Sequence, residues 1–272
     1  PTLDVPPYQR DFSWEEKHVD AFLQSFKDIM GSNNQNKNHF FFGQIVTARD
    51  SDKKQVHVID GQQRLTWFTM LIHLLWTRVA KITYGPNAKY FEKDTLVAPP
   101  STLTSEQESI ENFDKARATC DDISQWFLKN KEGNLHEKLK LQNSKHRNIW
   151  PIIFDESCDM QTITEKYNRY SENSPTPEDD ISYGDDNLFQ AYKYLHDALD
   201  ELSDKIIIDD FWFNINDASL LKRIHAAHLD ADTIDVGITI FTKMNATGKQ
   251  LSPPDLIKAH LCDIADKKSY GE

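Results

Sequence analysis

The chain has 272 residues, 39% of them hydrophobic and 27% charged, with 15 Phe and 6 Trp. That is enough to bury a substantial core in one large domain or two small ones. The formal net charge of −12 argues against a broad basic face for nucleic acid, yet leaves room for a local anion site built from a helix end and a few arginines. No apolar run approaches the roughly 18 residues of a membrane span. The start (PTLD) lacks the basic and apolar regions of a signal peptide and reads as a piece of a longer chain. Cys120, Cys158 and Cys262, odd in number and widely spaced, fit a reducing cytoplasm better than a disulfide framework.

In chain order, Asp4 to Tyr8 is extended, because Pro6-Pro7 forbids helix. Ser13-Trp14-Glu15-Glu16 has the form of a capping box, with Ser13 as N-cap and Glu16 at N3. Val19, Phe22, Leu23, Phe26, Ile29 and Met30 then follow at helical spacing, up to Gly31. Phe40 to Ala48 and Gln55 to Ile59 are β-rich segments around a turn-like Asp50-Ser51-Asp52, which predicts a hairpin. The second strand runs through Asp60-Gly61 into a helix marked by Leu65, Phe68, Leu71, Ile72, Leu75, Val79 and Ile82, ending at Gly85-Pro86. Later segments predict a helix over 106–128, a short strand over 138–142, a mobile acidic loop near 172–186 and a helix over 188–202. Ala226 to Asp230 reads as extended and Ile234 to Met244 as helical. Asn245 to Lys249 reads as a turn before a helix capped by Ser252. His225 and His228, three apart, would share a face if helical, but no third ligand completes a metal pattern.

Three segments have chemical content. At Asp60-Gly61-Gln62-Gln63-Arg64 a helix begins behind a strand. Its unpaired N–H groups and positive dipole end favour an anion, Gly61 permits close approach, and Arg64 can fork onto a phosphate. Gln62 and Gln63 can donate amide hydrogens, and the acceptor-only Asp60 could hold a metal ion, a ribose hydroxyl or an arginine. The same residues also admit a plain reading: Asp60 as N-cap, amides in solvent. Tyr8-Gln9-Arg10 lies in a loop between two elements, where functional groups concentrate, though an arginine there is also ordinary surface chemistry. Asn245-Ala246-Thr247-Gly248-Lys249 is either a simple turn or a third wall facing the same ligand.

The stretches VPPYQRDFSW, FFFGQIV, VIDGQQRLT and IFTKMNATGKQLSPPDLIKAHL resemble the hallmark blocks of the GmrSD restriction endonuclease N-terminal domain family, at both ends of the chain. The resemblance implies an α+β fold: a ParB- and sulfiredoxin-like α/β nucleotide-binding unit over 1–85, packed with a mainly helical portion over 86–272. It further implies a cytoplasmic NTP-hydrolysing domain, using NTP with Mg²⁺, in a modification-dependent restriction or phage-defence protein. Such a domain would regulate an HNH-type nuclease that acts on DNA. This chain shows no His-Asn-His spacing, so the nuclease is expected elsewhere, beyond Glu272 or on a partner. Carried over by motif, Gly61, Gln62 and Arg64 would hold phosphate, and Arg10 would stabilise charge across the cleft. Asp60 would position Mg²⁺ or water, and Gln63 would orient water. Tyr8, Gln9, Thr66, Asn245 and Lys249 complete the implied nucleotide contacts. A non-hydrolysing, nucleotide-gated or modified-DNA sensor is the alternative. The absence of GxxxxGK[ST] excludes a P-loop.

Overall fold

The computed structural model describes residues 2–7, 9–30, 40–49, 55–84, 139–142, 144–154, 159–172, 186–203 and 224–246. Five strands and six helices lie among them: β1 (Leu3–Val5), α1 (Glu16–Met30), β2 (Phe40–Arg49), β3 (Val56–Asp60), α2 (Gln62–Tyr84), β4 (Leu139–Leu141), α3 (Ser144–Ile153), α4 (Met160–Glu172), α5 (Asn187–Asp200), β5 (Ile224–Ala231) and α6 (Ile234–Ala246). The strands form one sheet in the order β4-β1-β3-β2-β5. The predicted hairpin is present as the antiparallel β2–β3 pair, whereas β1–β3, β1–β4 and β2–β5 run parallel. The sheet thus takes three strands from residues 1–85 and two from the later part of the chain.

Side chains alternate across a strand, so each strand feeds both faces of the sheet. One face carries Val5, Phe40, Phe42, Val58, Leu139 and Leu141 into the main core, where α1, α2, α3, α4 and α5 also contribute. Val19, Leu23 and Phe26 of α1 are fully buried there, as their spacing predicts. Helix α2 is buried over more than a stripe: every residue from Met70 to Thr77 is buried, because the main core surrounds it. Fully burying one such Leu, Ile or Met is worth about 1.5–3 kcal/mol. Phe22 anchors an aromatic cluster with ring centroids 5.3 Å from Trp67 and 5.6 Å from Phe40. The opposite face has a smaller core of Val46, Ala48, Ile59 and Ala231 under α6. Gly237 makes that approach possible, since a Cβ there would meet Ile59 at 3.1 Å and Ala48 at 3.2 Å.

Three readings of the sequence are resolved differently. Ser13 is not the N-cap of α1: the first helical turn closes on the Glu15 carbonyl, which accepts from Val19 N at 3.2 Å, and the Ser13 N–H donates elsewhere. His225 and His228 lie on β5, where a spacing of three puts them on opposite faces. His228 Nε2 instead bonds Thr47 Oγ1 at 2.8 Å, and Thr47 donates to Asp230 Oδ1 at 2.9 Å. Asn245 continues α6 rather than starting a turn. The helix over 106–128, most of the acidic loop near 172–186, the Ser252 cap and the three cysteines lie outside the described residues.

Candidate functional site

Strand β3 hands the chain to α2 through Gly61, whose φ of +93° only glycine adopts readily. The Gly61 carbonyl accepts the first intrahelical bond, from Leu65 N at 3.0 Å, which makes Gly61 the N-cap. Gln62, Gln63 and Arg64 are therefore N1 to N3, and the first turn contains no acidic side chain. The glycine is needed here for its φ and for the approach of β2, because a Cβ would meet Gln44 O at 3.0 Å and Ile45 Cα at 3.3 Å. The space in question is filled by the hairpin partner.

The two glutamines are buried, with 7% and 6% of their surface exposed, so their amides need protein partners. They find them in the loop before α1. Gln62 Nε2 donates to Arg10 O at 2.8 Å, and Gln63 Nε2 donates to Asp11 O at 2.8 Å. Ser13 N donates to Gln63 Oε1 at 2.9 Å, so this N–H is engaged by α2 rather than by Glu16 as a capping box would have it. Gln9 Nε2 completes the stitching by donating to Ile59 O at 2.8 Å. Each such bond contributes about 1 kcal/mol net, and more if its loss leaves a buried group unpaired. Gln9, Gln62 and Gln63 thus fix the backbone that carries Arg10.

Gln9, Arg10, Gln62, Gln63 and Thr66 line one narrow cleft, together with Val5, Phe12, Leu141 and His146. The structure therefore gathers two predicted motifs that are some 50 residues apart in sequence. The Arg10 side chain is exposed and has no ion-pair partner among the described residues. His146, buried and accepting from Phe12 N at 3.3 Å through Nδ1, is a wall residue that sequence reasoning missed. Nothing in the neighbourhood of His146 in the sequence signals that α3 reaches the loop before α1.

Asp60 and Arg64 are not among the residues lining that cleft. At about 100° per residue, position 64 points away from the face shared by 62 and 66. Arg64 Nη2 lies 3.6 Å from Asp60 Oδ2, with both side chains about one quarter exposed. Its guanidinium rests against Gly43 of β2, close enough that a Cβ on Gly43 would collide with it. Gly43 has φ +101° and sits at a register shift in the β2–β5 ladder, between Phe41 and Gly43. A second shift, between Val46 and Thr47, falls where β2 pairs with the end of β3. Such irregularities re-aim side chains and are common beside active sites. Gly43 was legible in principle, since a glycine inside a strand pattern signals a bulge or a close approach. Tyr8 and Lys249 lie outside the described residues, as does the Asn245 side chain. Among the described residues no cluster of three or more metal-ligating side chains forms.

The GmrSD restriction endonuclease, N-terminal domain family matches residues 2–262. The chain belongs to that family. It is accordingly a component of a restriction system, and the GmrSD N-terminal domain accounts for nearly its whole length. No curated protein matches the chain. Among the described residues no helix is long and apolar enough to cross a membrane.

Proposed function

We propose that this GmrSD N-terminal domain binds and hydrolyses a nucleoside triphosphate, with the phosphates at the start of α2, and that turnover regulates an HNH-type nuclease acting on DNA. The observation that carries the reading is Arg64. A cation at N3 sits at the positive end of the helix dipole, in a first turn without an acidic side chain, an arrangement that opposes the dipole unless an anion is recruited. Asp60, at 3.6 Å, offsets part of that charge. A phosphate brought to the helix mouth would complete the compensation through backbone N–H groups and the guanidinium fork. The ParB- and sulfiredoxin-like character of the 1–85 unit belongs to the same reading.

Roles follow from chemistry. Arg64 and the start of α2 would hold phosphate, and the exposed Arg10, which lines the cleft on the other side of the helix start from Arg64, would add charge stabilisation by reaching across that start. Gln62 and Gln63 serve by holding that loop, since their amide groups are bonded to its backbone. Asp60 fits Mg²⁺ as a single carboxylate ligand, because Mg²⁺ commonly takes one or two carboxylates and fills its remaining positions with water and phosphate oxygens. The ion, when bound, would neutralise phosphate charge.

The test is phosphate release from a panel of NTPs with Mg²⁺, comparing the natural sequence with Arg64→Ala and Asp60→Ala. Turnover abolished in both variants is the expected result. Thermal stabilisation by nucleotide without turnover would replace hydrolysis with a nucleotide-gated switch. Neither binding nor turnover, with or without DNA, would remove the nucleotide from the reading.

A further inference from the structure

Among the described residues the positive-φ glycines are Gly43 and Gly61, one on each strand of the hairpin or at its exit, and both border the start of α2. Gly61 is explained by the strand-to-helix turn. Gly43 is in the middle of a ten-residue strand, where glycine forfeits packing and loses the most chain entropy. What it makes room for is specific. A Cβ placed on Gly43 would overlap the Arg64 guanidinium, would lie 3.0 Å from Arg64 Cζ and 3.2 Å from Cδ, and all three nearest atoms belong to that one side chain. The ladder shift between Phe41 and Gly43 lets the strand adopt this backbone without breaking its pairing with β5.

We infer that Gly43 is a positioning residue: it forms a notch in β2 that seats the Arg64 guanidinium between the strand and Asp60, and so sets the orientation of the phosphate-binding fork. The inference rests on the nucleotide reading for its purpose, but the contact itself does not. Arginine has a long side chain with several rotatable bonds, and an unseated guanidinium would sample many directions at the helix mouth. The notch removes one side of that space, and Asp60 at 3.6 Å biases the rest. A side chain at position 43 would be strained by the φ of +101° and would also push the flexible Arg64 aside; the backbone strain is common to both backgrounds of a mutant cycle, whereas the displaced guanidinium is specific to Arg64.

The experiment is a double-mutant cycle on nucleotide affinity with Gly43→Ala and Arg64→Lys, read beside the assigned Nε–Hε NMR signal of Arg64. Lysine keeps the charge but lacks the Nη1 and Cζ atoms that the new methyl would strike. Gly43→Ala should weaken affinity by at least about tenfold in the arginine background, the scale of one charge-assisted hydrogen bond. It should have little further effect in the lysine background, and it should shift the Arg64 signal. Equal losses in both backgrounds would overturn the proposal, as would an unmoved Arg64 signal in a folded Gly43→Ala variant. Should the natural sequence bind no nucleotide, the nucleotide reading fails, while the Arg64 signal still decides whether Gly43 seats the guanidinium. Should Gly43→Ala not fold, Gly43→Asn, which tolerates positive φ while still adding a Cβ, takes its place.

Discussion

Gln63 does more for the arrangement than its place in the motif suggests. Its Oε1 accepts from Ser13 N and its Nε2 donates to Asp11 O, so one buried side chain satisfies two backbone groups of the loop that bears Arg10. Gln63→Ala would remove two part-buried hydrogen bonds that tie the loop to α2, and should destabilise the protein by about 1–3 kcal/mol. Denaturant unfolding should report that loss, and hydrogen exchange should show faster exchange at Ser13. Gln63→Glu separates the two bonds. It keeps an acceptor for Ser13 but sets a carboxylate oxygen against the Asp11 carbonyl, so Ser13 should stay protected while stability falls. The sequence made the polarity of Asp60 to Arg64 legible and left its use ambiguous between ligand, cap and solvent. The answer depended on bonds spanning 50 residues or more, such as Gln63 to Ser13, which no local pattern encodes. The capping-box form at Ser13 misled as well: the first turn closes on Glu15, and the Ser13 N–H that Glu16 would accept in a capping box goes to Gln63.

At the level of elements, periodicity identified α1, the β2–β3 hairpin, α2 and α5, because each buries a face against the sheet or the helical layer; β5, read as extended over Ala226 to Asp230, buries only Ala231 and is held by pairing with β2. Where the sequence pattern fell short, tertiary packing decided. The spacing of His225 and His228 also admits a shared helical face, and it is pairing with β2 from Phe40 to Ala48 that holds the segment in the extended form read for Ala226 to Asp230. The start of α5 at Asn187 was set by Asp186, which the sequence placed in an acidic loop. It is 1% exposed, and its Oδ1 accepts from Leu188 N at 2.9 Å and Phe189 N at 3.1 Å. Asp186→Ala should cost about 1–2 kcal/mol, and Asp186→Asn much less, as measured by thermal or urea unfolding. The junction glycine is an element-scale constraint as well. Gly61→Ala forces a φ of +93° on an L side chain and presses its methyl toward Gln44 O. A loss of about 1–3 kcal/mol is expected, with reduced expression of folded protein as the first sign.

Across the whole molecule, the main core joins the sheet to α1 through α5, and α2 runs through its middle. That burial includes one titratable ring. His73 of α2 is 0% exposed, with its Nδ1 and the Tyr192 hydroxyl 3.1 Å apart and its ring 4.3 Å from that of Phe154. Burial holds its pKa down at about 3, against 6.5 for an ordinary histidine. The depressed value means that the folded protein keeps His73 neutral while the unfolded chain takes up a proton below 6.5. Stability from this residue is therefore complete above pH 6.5 and is lost as pH falls from 6.5 toward 3. The slope within that window is about 1.4 kcal/mol per pH unit. Carboxylates contribute to the same acid limb, so the natural sequence alone cannot isolate the effect. His73→Asn retains a polar group near Tyr192 and removes the titration. Subtracting its urea-unfolding free energy from that of the natural sequence at each pH should give a flat difference above 6.5. Below 6.5 the difference should decline by about 1.4 kcal/mol per unit. A difference that stays flat down to pH 4.5 would mean that His73 is protonated in the folded core, or reached by water, and that the packing of α2 against α5 is looser than the structure has it.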